Sequence, residues 1–207
     1  SVLDNAEPHQ GARVLFKTDI SKFYPSITLE HILRNIDIHN DETWRTQARS
    51  KILYCLLTLD GRLVLPTGAP TSPILSCIAA TDLDIAVADI ASEYNFVYTR
   101  YIDDLSFSSK EGNKVQEMSQ RILKSISDHG FNWNSQKTKW VLPNKTERFS
   151  VTGVNIQEEK SYKVPKHIRR ICRARLDRIA KENIDTDKIT NGYLSYVRMI
   201  DQTAYEK

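Results

Sequence analysis

No stretch of this 207-residue sequence approaches the ~20 consecutive apolar residues of a membrane-spanning helix, so no such helix is expected. Residues 1–11 lack an apolar leader and carry acids and a histidine instead, which argues against a signal peptide. The first residue is not methionine, and the chain reads as a processed or truncated fragment. Cysteine is scarce. Cys55, Cys77 and Cys172 are far apart, each within apolar sequence, and form neither a metal-binding pattern nor a disulfide framework. They are expected to be reduced, buried and cytoplasmic. Internal repeats and low-complexity linkers are missing, which excludes solenoids and disordered tethers. Net charge is only +3.

What is there is an ordinary globular composition, with 40% hydrophobic and 27% charged residues, long enough for one domain with a small appendage. The basic charge is unevenly spread. Between residues 160 and 181 nine Lys or Arg accompany one acid, Asp177. Taken alone, such a run reads as a solvated helix face. On a nucleic-acid-binding protein it reads as a phosphate-facing surface.

The pattern predicts a strand over 12–18 ending at Asp19, broken by Pro25 and Ser26. A helix capped by Thr28 should run to about Ile38. Apolar residues at Trp44, Ala48, Ile52, Cys55, Leu56 and Leu59 predict a helix over 41–59. Asp60-Gly61 signals a turn before a short strand at 62–65. Ser72 as N-cap and Pro73 in the first turn predict one long helix to about Glu93. Strands at 96–101 and 105–108 should form a hairpin with two acids at its tip. An amphipathic helix over 114–129 ends at Gly130. Strands are expected near 131–133, 139–142 and 149–156, then helices from Lys166, with Ile168, Cys172 and Ile179 facing inward. This order predicts an α+β fold, an antiparallel sheet with helices packed on one face, followed from Lys166 by a helical subdomain.

Three acids stand at strand ends: Asp19, Asp103 and Asp104. A lone Asp there is commonly a cap or turn residue, and an Asp-Asp pair in a hairpin is commonly a turn. This pair differs in being flanked by Tyr101, Ile102 and Leu105, the residues of a core strand. Adjacent carboxylates at a buried tip repel unless cations neutralise them. Oxygen ligands without His or Cys select Mg²⁺, with Mn²⁺ as substitute. Two such ions ~4 Å apart activate an attacking oxygen and stabilise a leaving one.

The surrounding residues resemble the reverse transcriptase family. Residues 16–27, Phe-Lys-Thr-Asp-Ile-Ser-Lys-Phe-Tyr-Pro-Ser-Ile, resemble its first catalytic motif. Residues 65–73, Leu-Pro-Thr-Gly-Ala-Pro-Thr-Ser-Pro, resemble the next, and Tyr101-Ile102-Asp103-Asp104 its aspartate hairpin. Gly130-Phe131-Asn132 through Lys137-Thr138-Lys139 is similar to the motif after it. Val151-Thr152-Gly153 is similar to the primer-grip element of retron and related bacterial enzymes. Val164-Pro165-Lys166 with Arg169-Arg170, and Asn5-Ala6 with His9, also look retron-like. The resemblance covers nearly the whole chain, in motif order.

It implies a ferredoxin-like (RRM-like) polymerase palm over 1–165, with a remnant of the fingers at 1–12, and a partial thumb over 166–207. It implies a bacterial, cytoplasmic RNA-directed DNA polymerase that extends a DNA or RNA primer with dNTPs on an RNA template, using two Mg²⁺ ions. That template would be a structured non-coding RNA of a retron or phage-defence system. Asp19 and Asp103 would hold the metals, with Asp104 assisting and the Ile20 carbonyl as a further ligand. Phe23, Tyr24, Thr67, Gly68, Ala69 and Ile102 would line the nucleotide site, Tyr24 as the steric gate against a ribose 2′-OH. Lys137 would protonate pyrophosphate, a role for which Lys139 competes. Val151, Thr152, Gly153, Lys166, Arg169, Arg170 and Arg173 would meet nucleic acid, the thumb binding without sequence preference.

The chain departs from the pattern at Ile102, where the family favours Ala, at Thr67, where many relatives have Gln, and at Cys77, where Asn is common. A stiff β-branched residue beside the primer end should tighten nucleotide selection or slow the reaction. Ile102→Ala should therefore alter kinetics or fidelity, and unchanged values would refute this. The family's N-terminal fingers precede the region matched here, so this stretch alone should polymerise poorly. Two rivals are a template-independent defence polymerase with the same palm and a nucleic-acid-binding palm without activity. The presence of all three aspartates speaks against the second.

Overall fold

A computed structural model describes residues 1–36, 42–112, 114–142, 149–156, 162–182 and 185–205. The chain opens with α1 (Val2–Ala6) and a 3-10 turn, Glu7–His9, and enters β1 (Val14–Asp19). Next come α2 (Phe23–Ser26), α3 (Leu29–Ile36), α4 (Glu42–Leu53), and a hairpin of β2 (Leu57–Leu59) and β3 (Arg62–Val64). Helices α5 (Ser72–Ala79) and α6 (Thr81–Glu93) lead into the hairpin of β4 (Val97–Tyr101) and β5 (Asp104–Ser109), followed by α7 (Val115–Asp128) and β6 (Lys139–Val141). A small hairpin of β7 (Ser150–Val151) and β8 (Val154–Asn155) precedes α8 (Lys166–Glu182), α9 (Lys188–Ile200) and α10 (Gln202–Tyr205). The mixed α/β architecture and its antiparallel hairpins agree with expectation.

Two compact units result: Phe16–Trp140, and Ser1–Leu15 with Val141–Lys207. The sheet runs in the order β4-β5-β1-β6. In the first unit α6 packs on β4 and α7. Leu83, Val87, Leu105, Phe107, Met118, Ile122, Ile126 and Phe131 form its buried interior. Met118, Ile122 and Ile126 recur at the helical period along α7, so one face is apolar and buries itself. Phe16 stacks on Trp140 at 4.3 Å and lies 5.7 Å from Phe107. These rings anchor the strand that delivers Asp19.

In the second unit Ala6, Leu15, Val151, Val154, Ile156, Val164, Cys172, Val197 and Ile200 share one core. Helix α8 begins at Lys166, the start expected for the C-terminal helices, and lies in the same compact unit as residues 141–165.

Several local expectations need correction. The helix expected over 41–59 ends at Leu53, and Leu57–Leu59 pairs with Arg62–Val64 instead. Asp60 and Gly61 both take positive φ (48° and 74°), a two-residue turn that nucleates this hairpin. Asp41 and the Trp44 side chain, like residues 37–38 of the preceding helix, lie outside the described residues. The expected long helix breaks at Ala80. Ser72 does not cap α5: it lies inside the helix, and its hydroxyl donates to the Pro66 carbonyl at 2.6 Å, bracing the preceding loop. Residues 149–156 make a hairpin rather than one strand, because Thr152 and Gly153 both have positive φ. Of the cysteines only Cys172 is buried; Cys55 is half-buried and Cys77 exposed.

Gly130 ends α7 at φ +84°, and a Cβ there would stand 3.0 Å from His31 Nε2. The His31 ring is held in turn, accepting at Nδ1 from the Thr28 N–H at 3.2 Å. Gly130→Ala is expected to destabilise the protein by about 1–2 kcal/mol. A melting temperature within 1 °C of the parent, on the order of 0.3 kcal/mol, would contradict this.

Candidate active site

Alternation along β1 buries Phe16 and Thr18 and turns Lys17 and Asp19 to the other face. The strand ends at Asp19, and its end is stitched to two other segments. The Asn134 N–H donates to the Asp19 carbonyl at 2.8 Å, and the Ser21 N–H to the Asn132 carbonyl at 2.7 Å. Thr18 and Thr138 share a hydroxyl–hydroxyl bond of 2.8 Å. On the other side the Ile20 N–H donates to the Asp103 carbonyl at 2.9 Å. This last bond places the aspartate hairpin beside the end of β1.

In that hairpin Tyr101 pairs with Asp104, leaving Ile102 and Asp103 as a two-residue turn. Ile102 adopts φ +59°. For a β-branched residue this left-handed conformation costs roughly 1–2 kcal/mol. The smaller Ala of relatives would bear less of it, which gives the Ile102→Ala substitution a stability readout as well as a kinetic one.

The three carboxylates are near enough to feel one another. Burial raises the Asp103 carboxyl above the usual range, and the charges of Asp19 and Asp104 add to the rise. Burial also raises Asp104, opposed by Lys17. Two ammonium groups answer this negative charge. Lys17 Nζ lies 3.3 Å from Asp104 Oδ2. Lys137 Nζ, on a side chain 60% exposed, donates to Asp19 Oδ2 at 2.8 Å. That bond holds the Lys137 ammonium above its ordinary range. Among the described residues no group of three His, Cys, Asp or Glu stands ready to close around one ion. The donor set is nonetheless all oxygen, and among the described residues the ion pairs that offset its negative charge come from Lys17 and Lys137. Both facts fit a divalent cation of the Mg²⁺ type.

Tyr24 lies on α2, half-buried, its phenol pushed up by burial and then by the Asp103 charge. Phe23 is buried, with Phe131 5.9 Å away, and its side chain belongs to the core. Gly68, at φ +90°, lies with Thr67 and Ala69 in the loop before α5; no hydrogen bond or ion pair among the described residues joins them to the carboxylates. The sequence reading missed Lys17, although its spacing of two from Asp19 on a strand puts both on one face. It also missed Arg100 and Asp84, for which no local pattern spoke.

In the other unit, Val151 is wholly buried, so Thr152 and Gly153 form the tip of that element. Tyr196 Oη donates to the Gly153 carbonyl at 3.1 Å. On α8, Lys166, Arg170 and Arg173 are exposed and Arg169 half-buried, while Cys172 faces the core. No ion pair among the described residues engages these four basic side chains, whereas Arg175 pairs with Asp187 and Arg178 with Glu182. Lys160 lies outside the described residues.

Residues 1–156 match the family described as reverse transcriptase (RNA-dependent DNA polymerase). The whole chain is 27% identical to the retron Ec86 reverse transcriptase of Escherichia coli, covering 62% of it. It is 29% identical over its full length to the retron Mx65 reverse transcriptase of Myxococcus xanthus, covering 51%. Over 84% of its length it is 30% identical to the retron Mx162 reverse transcriptase of the same organism, covering 41%. The chain thus spans less than two thirds of each of these relatives.

Proposed function

This chain belongs to the reverse transcriptase (RNA-dependent DNA polymerase) family, and from that premise we propose that it is the catalytic core of a retron-type RNA-directed DNA polymerase. It would add dNTPs to a primer 3′ end on an RNA template, the template being a structured non-coding RNA. The observation that carries this reading is the 2.9 Å bond from the Ile20 N–H to the Asp103 carbonyl, which joins the ends of two family motifs and so gathers Asp19, Asp103 and Asp104. We read residues 1–165 as palm with a remnant of fingers, and 166–207 as the start of a thumb.

Asp19, Asp103 and Asp104, with the Ile20 carbonyl, would hold two Mg²⁺ ions. Bound there, the ions would supply charge neutralisation and activation of the primer hydroxyl. The chain's own residues do the rest. Asp19 offers an oxygen for which Lys137 now competes, so Lys137 would release it. That freed ammonium is the proton donor for departing pyrophosphate. Lys17 opposes the rise that burial imposes on Asp104, and Lys137 opposes the rise on Asp103, so each carboxylate is partly neutralised before a cation arrives. Tyr24 presents its ring to the sugar. Lys166, Arg169, Arg170 and Arg173 would track the duplex backbone, Thr152 and Gly153 the primer strand.

The test is primer extension by the full-length protein on an RNA template, with dNTPs and Mg²⁺. Template-dependent DNA synthesis is expected. Synthesis that ignores the template sequence would favour a template-independent polymerase, and binding of RNA without any synthesis would leave a binding module.

A further inference from the structure

We propose that Arg100, fixed by Asp84 and Tyr98, is a positioning residue that holds the Asp103 turn in its metal-binding shape. The inference rests on the polymerase reading above and adds residues that no motif named. It starts from Ile102, whose left-handed backbone relaxes unless its surroundings hold it. Two bonds do so, one to each carbonyl of the turn. The Ile20 N–H holds the Asp103 carbonyl, and Arg100 Nη1 donates to the Ile102 carbonyl at 2.9 Å. That second carbonyl belongs to the peptide linking Ile102 to Asp103. The nitrogen of the same peptide is that of Asp103, whose side chain is the expected metal ligand. Turning this peptide would therefore move the carboxylate.

The guanidinium is itself immobilised. Its Nε donates to Asp84 Oδ1 at 2.7 Å and its Nη2 to Asp84 Oδ2 at 2.5 Å, the two-pronged pairing that fixes orientation as well as distance. Tyr98 Oη donates to the same Asp84 Oδ1 at 2.7 Å, and its ring stacks on Phe107 at 4.9 Å. The guanidinium also lies over the Phe23 ring at 5.8 Å. Only 7% of the Arg100 side chain is exposed, against 31% for Asp84. Tyr98 and Arg100 are two apart on β4, hence on one face, and Asp84 comes from the first turn of α6. The network thus runs from a helix, through a strand, to the catalytic turn. Lysine lacks the planar fork, so it would lose the two-pronged hold on Asp84 that aims a third N–H at the Ile102 carbonyl.

The experiment uses the full-length protein and two variants, Arg100→Lys and the more conservative Asp84→Asn, which keeps the shape of the side chain. Mn²⁺ binding is followed by electron paramagnetic resonance without nucleotide, alongside thermal melts and steady-state primer extension. Both variants should melt cooperatively, bind Mn²⁺ about tenfold more weakly, and lose about 10–100-fold in kcat. KM for dNTP should stay within about threefold, because neither residue touches the nucleotide. If the folded variants bind Mn²⁺ as the parent does, the inference is overturned, even if they melt at lower temperature. Should Arg100→Lys fail to fold, Asp84→Asn decides by the same criterion. Asp103→Asn is run in parallel: if it still extends primers, the polymerase reading fails, whatever the two network variants show.

Discussion

Asp103→Asn is expected to abolish primer extension by the full-length protein while making the cation-free protein more stable. The loss should exceed about 10³-fold in kcat, or ~4 kcal/mol of transition-state stabilisation, because asparagine offers one neutral oxygen where a charged metal ligand is needed. The gain in stability has its own physical cause. Burial and the charges of Asp19 and Asp104 raise the Asp103 carboxyl above its ordinary value of 3.8. The folded state therefore binds this proton more tightly than the unfolded chain. The resulting penalty is absent below pH 3.8, grows as pH rises to the folded-state value, and is fully present at neutral pH. Asparagine carries no charge and escapes it. A rise in melting temperature is expected without divalent cations, kept small by the solvent that screens this half-buried group. Adding Mg²⁺ should narrow the difference by stabilising the parent alone. RNA binding should be largely retained, since the basic residues lie elsewhere. Surviving synthesis would remove Asp103 from the chemistry, and a lower melting temperature would refute the electrostatic account.

The second large effect is expected at Tyr24. Its phenol feels the Asp103 charge, and the proposed role has its ring stand where a ribose 2′-OH must pass. Tyr24→Ala should open that space. The preference for dNTPs over rNTPs, as a ratio of kcat/KM, should fall by about 10²-fold, or ~2.7 kcal/mol. Most of the change should come from faster rNTP incorporation, with dNTP incorporation reduced only a few-fold. Phe is the informative control: Tyr24→Phe keeps the ring and loses the hydroxyl, so it should discriminate as the parent does. A ratio that moves less than threefold in Tyr24→Ala would mean that selection lies with other residues, and Tyr24 would then be a packing aromatic.

Much of this architecture is legible in the order of residues along the chain, and particular positions show why. The α7 stripe of Met118, Ile122 and Ile126 and the turn residues Asp60-Gly61 announce themselves through local spacing. The helix expected over 41–59 failed at its end, because Leu57 and Leu59 suit a strand once Arg62–Val64 offers partners. Ser72 has the chemistry of a cap, yet its hydroxyl found the Pro66 carbonyl instead. Val151 lies in a nucleic-acid motif and is nevertheless a core residue, since it stands on the strand that enters the Thr152-Gly153 turn and packs in the core of its unit.

By itself the sequence determined the chemistry: three carboxylates at strand ends, a hairpin with acids at its tip, and a basic helix whose apolar stripe faces inward. Those properties depend on residue type and on spacings of a few positions. Only the tertiary structure decided which cation meets which carboxylate, and what holds the turn. Lys137 reaches Asp19 across 118 positions of sequence, and Asp84 reaches Arg100 across 16. The Arg100 network exists because a helix and a strand pack together and bring an arginine, an aspartate and a tyrosine into contact where little water reaches them. Sequence periodicity records which face of an element is buried, but not which polar groups burial will force to meet.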